Sequence, residues 1–352
     1  MKFDFCIGNP PYQEEQEGTS DSPVYNFFMD AAYSVGDRVE LITPARFLFN
    51  AGKTPKAWNQ KMLGDEHLKV LFYDANPNGV FQNTEIKGGV AITYRDKEKQ
   101  YGPIETFTSF NELNSILHKV KPLSSRFLSD IVYAPESYKF TPVLYSDHPE
   151  IRNMTTVFKG KKVPLISAGH DFDLTSNIFE KLEGIVFYQT KPEDGKEYVM
   201  VFGRKNNERA IYWVPASYIA NHGNFKHYKL FFPKSNGSGK FGEPMSSAEI
   251  GYPNMAHTQT FLSMGAFDSE EEAKALMKYV KSKFARTLLG ILKVTQDNKK
   301  SVWKHVPLQD FTRSSDIDWA MPIKAIDQQL YRKYGLSNEE IMFIETHVKE
   351  MA

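Results

Sequence analysis

The sequence has 352 residues, of which 41% are hydrophobic, and its acidic and basic side chains are equal in number. This length allows two domains, each with a packed core. No apolar stretch approaches the roughly 20 residues of a membrane-spanning helix, and the N-terminal residues lack the layout of a secretory signal. Cys6 is the only cysteine, which excludes an intrachain disulfide and a cysteine-based zinc site. These features predict a cytoplasmic protein.

The charge is unevenly distributed along the chain. Residues 1–120 contain 12 basic and 16 acidic side chains, residues 121–310 contain 26 and 20, and residues 311–352 contain 5 and 7. The middle segment is therefore the basic one, which suits an anionic partner. A mild excess of lysine is also common on surfaces that bind nothing charged, so charge alone leaves both interpretations open.

The first third of the chain predicts alternating strands and helices. Ser22 and Pro23 are typical of an N-cap and a first helical residue, and Gly64 is placed to end a helix that begins at Thr54. Apolar residues at helical spacing follow the first of these caps: Val24, Phe27, Phe28, Ala31 and Val35. Strands are predicted at 3–8, 38–43, 69–74 and 88–95. This order favours a layered α/β domain with a largely parallel sheet.

Beyond residue 110 the pattern changes to short β-like runs between polar loops. These runs are "KVPLIS" (162–167), "GIVFYQT" (184–190), "EYVMVFGR" (197–204) and "RAIYWVP" (209–215). A single long helix is predicted over 269–294, with a capping box at Ser269 and Glu272. The last residues predict a helical hairpin, with Gly335 as the stop and Ser337 with Glu340 as the next capping box. The stretch "KSNGSGKFG" (234–242) predicts a flexible loop.

The motif "NPPY" (Asn9–Tyr12) follows the first strand directly and carries distinctive chemistry. Pro10 and Pro11 fix two φ angles, remove two N–H donors and hold the preceding residues extended. The carbonyls of Asn9 and Pro10 can therefore point outward as acceptors, beside the Asn9 carboxamide oxygen. Tyr12 adds a flat ring. The alternative interpretation is a Pro-Pro loop that merely ends a strand, with asparagine as a turn former.

A rigid set of acceptors beside an aromatic face suits a planar group that carries an NH₂. The amino group of a purine is a poor nucleophile, because its lone pair is delocalised into the ring. Two fixed acceptors on its N–H bonds would pull the nitrogen toward tetrahedral geometry and aim the lone pair at an electrophile. The ring of Tyr12 would stack on a base that has left its helix. The position after a strand's carboxyl end also suits a ligand site.

These residues resemble the amino-methyltransferase motif of adenine-specific DNA methyltransferases of the TaqI-like restriction–modification type. The resemblance continues through "VYNFFMDAAYSVGDRVELITPARFL" and "GVFQNTEIKGGVAITYR", and returns in "QQLYRKYGLSNEEIMFIETHVKEM" near the end. In that family an aromatic residue in the second stretch stacks on the flipped adenine, and Phe81 is the matching position. The same tetrad occurs in enzymes that methylate a glutamine side chain in release factors, but those chains end soon after the motif.

The resemblance implies an α/β fold in three parts. Residues 1–115 would be the C-terminal half of a methyltransferase catalytic domain with a partial Rossmann-like sheet. Residues 116–310 would form a mixed α+β target-recognition domain, and residues 311–352 a helical hairpin. The catalytic residues would be Asn9, Pro10, Pro11 and Tyr12, the methyl donor S-adenosylmethionine, and the substrate double-stranded DNA.

The sequence departs from that family in the cofactor-binding half. The glycine-rich loop and acidic residue that hold S-adenosylmethionine lie upstream of the tetrad in such enzymes, whereas only eight residues precede Asn9 here. We therefore expect a bare sheet edge beside the first strand and weak cofactor binding by this chain alone. An N-terminal segment or a partner chain would then supply the missing half. The alternative function is a catalytically inactive DNA-binding specificity subunit.

Lysines mixed with aromatic residues in the basic segment are candidate phosphate contacts. They are Lys159, Lys161, Lys162, Lys226, Lys229, Lys234 and Lys240. Solvated lysine-rich loops are the alternative interpretation. Asp74, Glu85 and Lys87 fit a short Asp…Glu-x-Lys nuclease pattern that is frequent by chance, and the histidines lack the spacing of a metal site, so neither nuclease activity nor a metal is predicted.

Overall fold

The computed structural model describes residues 2–14, 22–75, 86 and 89–351. The chain divides into two compact units, Met1–Asn114 and Ser115–Ala352, and each unit is described by itself. The division of the chain into three segments at 115 and 310 stays a prediction. Among the described residues, no helix is long and apolar enough to cross a membrane.

The first unit contains the predicted strands at 3–8, 38–43, 69–74 and 88–95 and both predicted helices, with shifted boundaries, together with elements that the sequence did not predict. Its strands are β1 (Phe3–Gly8), β2 (Gln13–Glu14), β3 (Ser22–Pro23), β4 (Gly36–Pro44), β5 (Leu68–Asp74) and β6 (Val90–Asp96). Its helices are α1 (Tyr25–Val35) and α2 (Lys56–Leu63), and helix α3 (Asn111–Val120) begins at its end. The predicted stop of α2 is confirmed, because Gly64 is its C-cap.

The main sheet of this unit has the strand order β1–β4–β6–β5. Strands β1 and β4 pair in parallel, whereas β4 with β6 and β5 with β6 pair antiparallel. The prediction of a largely parallel sheet is therefore wrong, because β6 enters between β4 and β5 in the opposite direction. Strands β1, β4 and β5 run in one direction, so their carboxyl ends meet at one edge of the sheet.

Helices α1 and α2 cover one face of this sheet. Buried Met29 of α1 and Met62 of α2 pack with Val39 and Leu41 of β4, and Cys6 of β1 adjoins this core. Side chains alternate along a strand, so the neighbours of Cys6 face the other way. Phe5 and Ile7 are 60% and 75% exposed on that second face. Phe72, paired with Ile92 across the same face, is also exposed.

The start of helix α1 differs from the sequence prediction. Ser22 and Pro23 pair with Gln13 and Glu14 in a two-residue ladder, and Val24 occupies the N-cap without a side-chain hydrogen bond. The predicted apolar face is also wrong, because Phe27 and Phe28 are exposed. The helix instead buries Tyr25, Asn26, Met29 and Ala32.

The second unit is a mixture of small sheets and helices. Its strands are β7 (Val132–Tyr133), β8 (Thr155–Phe158), β9 (Lys161–Pro164), β10 (Tyr198–Lys205), β11 (Glu208–Pro215), β12 (Tyr228–Pro233), β13 (Glu249–Gly251), β14 (Met255–His257) and β15 (Phe261–Phe267). Its further helices are α4 (Val143–Asp147), α5 (Ile178–Leu182), α6 (Glu270–Lys281), α7 (Lys283–Gly290), α8 (Ile323–Lys333) and α9 (Asn338–His347).

The strands of this unit form three separate sheets. One has the order β11–β10–β14, one the order β13–β12–β15–β7, and the third contains only β8 and β9. The predicted strands at 197–204 and 209–215 are confirmed as β10 and β11. The run at 184–190 is not a strand: it makes isolated bridges through Phe187 and Tyr188, and its Val186 and Phe187 fill the core. Burial, rather than strand pairing, explains its apolar character.

The helix predicted over 269–294 is interrupted at Ser282. The Ser282 hydroxyl accepts a hydrogen bond from the Ala285 N–H and so caps a new helix, α7, directly after α6 ends. Asp327 of α8 accepts two further N–H groups at this start, from Lys283 at 3.0 Å and Phe284 at 2.9 Å. A side chain from a distant helix thus stabilises the break, which periodicity within 269–294 does not reveal.

The two helices predicted on either side of Gly335 are present as α8 and α9. Gly335 follows α8 with a φ of 60°, a left-handed conformation that glycine adopts without strain. Ser337 and Glu340 form the predicted capping box at the start of α9. These helices were visible in the sequence because every signal lies within a few residues of the turn.

Candidate catalytic site

The Asn9–Tyr12 corner follows β1 directly, at the edge where the carboxyl ends of β1, β4 and β5 meet. Asn9 and Pro11 are exposed, whereas Pro10 and Tyr12 are half-buried. The described residues contain no cis peptide bond, so both proline bonds of the corner are trans. The Tyr12 carbonyl accepts a hydrogen bond from the Val24 N–H at 3.1 Å, which ties the corner to the residue that begins α1.

The acceptors of the predicted site are the Asn9 carboxamide and the Pro10 carbonyl, and their role stays a prediction. Within the described part of the chain, neither the Asn9 carboxamide nor the Pro10 carbonyl has a hydrogen-bond partner. Because no described residue donates a hydrogen bond to them, these two acceptors suit an external N–H₂ group. Their backbone is stiffened by two proline rings, which lowers the entropy cost of holding a ligand in one orientation.

Tyr12 supplies a ring rather than a base. Burial raises the pKa of its phenol to about 12, so the hydroxyl stays protonated at neutral pH. A protonated phenol does not remove a proton from an amino group. The side chain is therefore suited to stacking on a planar group.

Phe81, the second predicted stacking residue, lies outside the described residues, as do Glu85 and Lys87. The chain leaves the sheet at Asp74, the last residue of β5, and re-enters it at Val90, the first residue of β6. Both points lie at the same edge as the end of β1. The base-stacking role of Phe81 stays a prediction.

Gly89 shapes the return of this connection to the sheet. Its φ is 79°, and a Cβ at this position would lie 2.2 Å from the Asp74 carbonyl oxygen. Its own carbonyl accepts a hydrogen bond from the Ala45 N–H at 3.0 Å, just after β4 ends. Only glycine combines this backbone conformation with so close an approach.

Replacing Gly89 with alanine is expected to lower the free energy of unfolding by about 3 kcal/mol or more, from backbone strain together with the steric clash. Gly102→Ala is the matched control, because Gly102 has the same φ of 79° and open space around it. The control substitution should lower the free energy of unfolding by only about 1 kcal/mol. Urea denaturation measures both variants, and equal losses would show that the contact with Asp74 is unimportant.

An aromatic cluster near the same edge was missed by the sequence analysis. Phe49, Tyr73 and Phe107 meet edge to face, with ring centroids 5.4 to 5.5 Å apart. Phe49 ends the 3-10 turn after β4, and Tyr73 is the penultimate residue of β5. Their separation along the chain hides the cluster. The one available signal was the position of two aromatic residues near strand ends, Tyr73 within the last two residues of β5 and Phe49 shortly after β4.

The predicted lysine contacts fall into two groups. Lys159, Lys161 and Lys162 are exposed on the β8–β9 hairpin. Lys226, Lys234 and Lys240 are exposed in the 224–240 stretch, with the Lys226 ammonium 2.8 Å from the Asn254 carboxamide oxygen and the Lys234 ammonium 3.9 Å from Glu136. These six positions stay candidates for phosphate contact.

Lys229 differs from the other candidates because its side chain is fully buried. Its ammonium donates to the carbonyls of Asn224, Phe225, His227 and Tyr252 at 3.0 to 3.1 Å. Burial lowers its pKa to about 7. An amine enclosed in this way joins two backbone segments, 224–227 and the residue Tyr252, and does not reach a phosphate. We therefore remove Lys229 from the proposed DNA contacts.

The loop at 234–242 is held by hydrogen bonds, in contrast to the flexible loop that its glycines predicted. The Glu243 carboxylate accepts from the N–H groups of Ser238 and Gly239 at 2.8 to 3.0 Å, and from the Ser238 hydroxyl. The buried Lys293 ammonium donates to the Asn236 carbonyl. Acidic and basic side chains beyond the loop fix it, which its composition did not reveal.

The described residues after β1 and β4 do not form the glycine-rich turn that holds a nucleotide-type cofactor. The residues after β1 are Asn9-Pro10-Pro11, and those after β4 are Ala45-Arg46, so neither strand leads through a glycine-rich turn into a helix. Among the described residues, no group of three or more histidine, cysteine, aspartate or glutamate side chains could hold a metal ion. The corner carries hydrogen-bond acceptors, and no glycine-rich turn follows β1 among the described residues.

Comparisons with known proteins address the N-terminal stretch. A search of curated proteins finds no match. A crystal structure of the type IIG restriction endonuclease BpuSI is similar, with 10% sequence identity and a TM-score of 0.32. The match covers 94% of this chain and 48% of that one, and we base no argument on it. The chain thus spans about half the length of that protein. Residues 1–81, which include the Asn9–Tyr12 corner, match the family described as the Eco57I restriction-modification methylase.

Proposed function

We propose that this chain provides the catalytic corner and DNA-recognition portion of an adenine-specific DNA methyltransferase in a restriction–modification system. The observation that carries the proposal is the proline-stiffened corner at the end of β1, whose Asn9 carboxamide and Pro10 carbonyl have no partner within the described residues. The family match over residues 1–81 supports a methylase-like role for the same stretch. The overall reaction would transfer the methyl group of S-adenosylmethionine to the exocyclic amino group of a flipped adenine.

Each corner residue has a role that follows from its chemistry. The Asn9 oxygen and the Pro10 carbonyl accept one N–H bond each from the adenine amino group, and Pro11 holds the backbone that positions them. Tyr12 stacks on one side of the purine, and Phe81 on the other. This arrangement needs no strong base, since the nitrogen can lose its proton after the N–C bond has formed.

The exposed face of the first sheet supports a partner for this unit. Phe5, Ile7 and Phe72 are exposed on the face opposite α1 and α2, and large apolar side chains exposed together on one face are typical of an interaction surface. Strand β1 lies at the edge of the sheet and pairs only with β4 among the described strands. A further segment or a partner chain that carries the cofactor-binding half would add a strand at β1 and cover this face.

The test of the proposed activity uses the assembly purified from source cells through a tag on this chain. Incubation with S-adenosylmethionine labelled in its methyl group and a mixed-sequence duplex should label the DNA. Nuclease digestion and chromatography should identify the product as N6-methyladenine. Label in cytosine, or label found only in protein, would overturn the proposal.

A second candidate function is a DNA-binding specificity subunit without activity of its own, favoured by the absence of a glycine-rich turn after β1 and β4. Calorimetry separates the two functions. Micromolar binding of S-adenosylmethionine by the assembly purified through a tag on this chain would favour the enzyme. No detectable heat with the cofactor, together with retained binding of duplex DNA, would favour the specificity subunit.

A further inference from the structure

The β8–β9 hairpin is a two-stranded ribbon that stands apart from the other sheets of the second unit. Thr155–Phe158 pairs with Lys161–Pro164, and within the described residues neither strand pairs with any other. Lys159 and Gly160 form its two-residue turn, with φ angles of 49° and 74°. Positive φ at both positions is typical of a type I′ turn, whose twist matches the flanking strands.

Most side chains described on the ribbon are exposed, and its base is anchored. Thr155, Thr156, Lys161 and Lys162 are all exposed, and a Cβ at Gly160 would meet nothing within 4 Å. At the base, the Leu165 N–H donates to the Met154 carbonyl at 2.8 Å. Ile151 and Leu165, which flank the ribbon, are buried in the core of the second unit. An isolated two-stranded ribbon gains little stability by itself, so an exposed one with a firm base suits a partner.

The charge of the ribbon indicates the chemistry of that partner. The segment 155–164, "TTVFKGKKVP", contains three lysines and no acidic residue. Lys161 and Lys162 are consecutive in one strand, so they point to opposite faces. A basic surface that lay flat on an anionic partner would concentrate its charge on one face. Lysines on both faces suit an element that lies between two rows of phosphates.

The dimensions of the ribbon decide between the grooves of duplex DNA. A strand pair with side chains on both faces is about 10 Å thick. The major groove is about 12 Å wide and about 8.5 Å deep, whereas the minor groove is about 6 Å wide. Four residues per strand at about 3.4 Å each extend the ribbon about 14 Å, which exceeds the depth of the major groove. The ribbon fits the major groove and is too thick for the minor groove.

We propose that the β8–β9 ribbon enters the major groove of duplex DNA, with Lys161 and Lys162 contacting phosphates on its two sides. This inference rests on the proposed function of acting on DNA. Val157 lies directly opposite Lys162 and is 72% exposed, although valine is usually buried. Near the tip of the inserted ribbon this side chain meets the C5-methyl group of thymine, the one apolar group that the bases present in the major groove.

The first test measures the salt dependence of binding to a mixed-sequence 30-bp duplex by fluorescence anisotropy. The double variant Lys161→Ala/Lys162→Ala should bind about tenfold more weakly at moderate salt, and the slope of log Kd against log salt should fall by about 2. Lys299→Ala/Lys300→Ala is the matched control, because it removes an adjacent pair of exposed lysines and the same charge. The control should retain the wild-type slope.

The second test identifies the groove and the thymine contact. Methyl green, a major-groove ligand, should displace the wild-type protein, and the minor-groove ligand netropsin should not. Wild type should bind a thymine duplex more tightly than the same duplex with uracil, and Val157→Ala should remove this difference while keeping the salt slope. Displacement by netropsin alone would overturn the assignment to the major groove. No preference for thymine in wild type would overturn the Val157 contact.

The failure of this inference is distinguishable from failure of the proposed function. If wild type binds the duplex and the two double variants have the same affinity and salt slope, the proposed role of the ribbon is overturned and the proposed function is not. Absence of duplex binding by wild type would overturn both proposals. Methylation of adenine by the tagged assembly, measured independently, reports on the proposed function only. Circular dichroism of the variants checks that the fold is retained.

Discussion

Replacing Asn9 with alanine is expected to abolish methyl transfer by the tagged assembly while DNA binding is retained. The change removes the side-chain acceptor that would hold one N–H bond of the adenine amino group. Loss of one positioned hydrogen-bonding group at a reacting atom typically costs a factor of about 100 to 1,000 in rate. Labelled methyl transfer measures the rate, and fluorescence anisotropy with the same duplex measures the binding.

Two further variants make this result specific to the acceptor. Asn9→Asp keeps an oxygen at the same position and should retain more activity than Asn9→Ala. Gln60→Ala removes an exposed carboxamide from α2 in the same unit and should leave the rate unchanged. Equal rates for wild type and Asn9→Ala would show that the corner is only a turn at the end of β1.

Asn9 is exposed, so its replacement should not disturb folding. Exposed substitutions usually change stability by less than about 0.5 kcal/mol. If the unfolding temperature of Asn9→Ala equals that of wild type while its methylation rate is lost, the defect lies in the methyl-transfer step. A lowered unfolding temperature in Asn9→Ala would instead assign the residue a structural role.

Replacing Lys229 with methionine is expected to lower the free energy of unfolding by about 3 kcal/mol, without a direct effect on DNA affinity. The substitution keeps the length of the side chain but leaves four carbonyls without their shared donor. Buried polar groups that lose a partner cost about 1 to 3 kcal/mol each when they find no water, and partial solvation of this site reduces the sum. Urea denaturation measures the loss.

Lys226 is the matched control for this change, three residues earlier in the same stretch. Its side chain is exposed, with one hydrogen bond to Asn254. Lys226→Met should leave stability within about 0.5 kcal/mol of wild type and should weaken duplex binding several-fold. The opposite outcome, a stable Lys229→Met protein with weakened DNA binding, would restore Lys229 as a contact and refute the structural role.

The pH dependence of the Lys229 effect has a defined sign. Burial lowers the pKa of Lys229 from its ordinary value of 10.5 to about 7 in the folded protein. Between these pH values the unfolded chain binds the additional proton, so the contribution of Lys229 to stability rises with pH. The stability deficit of Lys229→Met should therefore grow by about 1 to 2 kcal/mol from pH 7 to pH 9. A deficit that shrinks over this window would contradict the lowered pKa.

The sequence by itself determined the features that depend on neighbouring residues. The strand at 3–8, the stop of α2 at Gly64 and the capping box at Ser337 and Glu340 were all predictable, because their signals lie within a few positions of one another. The stiffness of the Asn9–Tyr12 corner is equally local, since a proline ring acts on its own φ angle and on the residue before it. Its chemistry was therefore readable before any fold was known.

Only the tertiary structure decided the features that depend on residues far apart in the chain. The position of β6 between β4 and β5, the interruption at Ser282 supported by Asp327, and the aromatic cluster around Tyr73 each require partners that no local pattern names. The two lysines at 226 and 229 show the reason most clearly. Both occupy the same polar stretch, but strand β12 turns Lys229 inward onto four carbonyls and leaves Lys226 in solvent. Composition reports which side chains a segment has, whereas packing decides which of them a partner can reach.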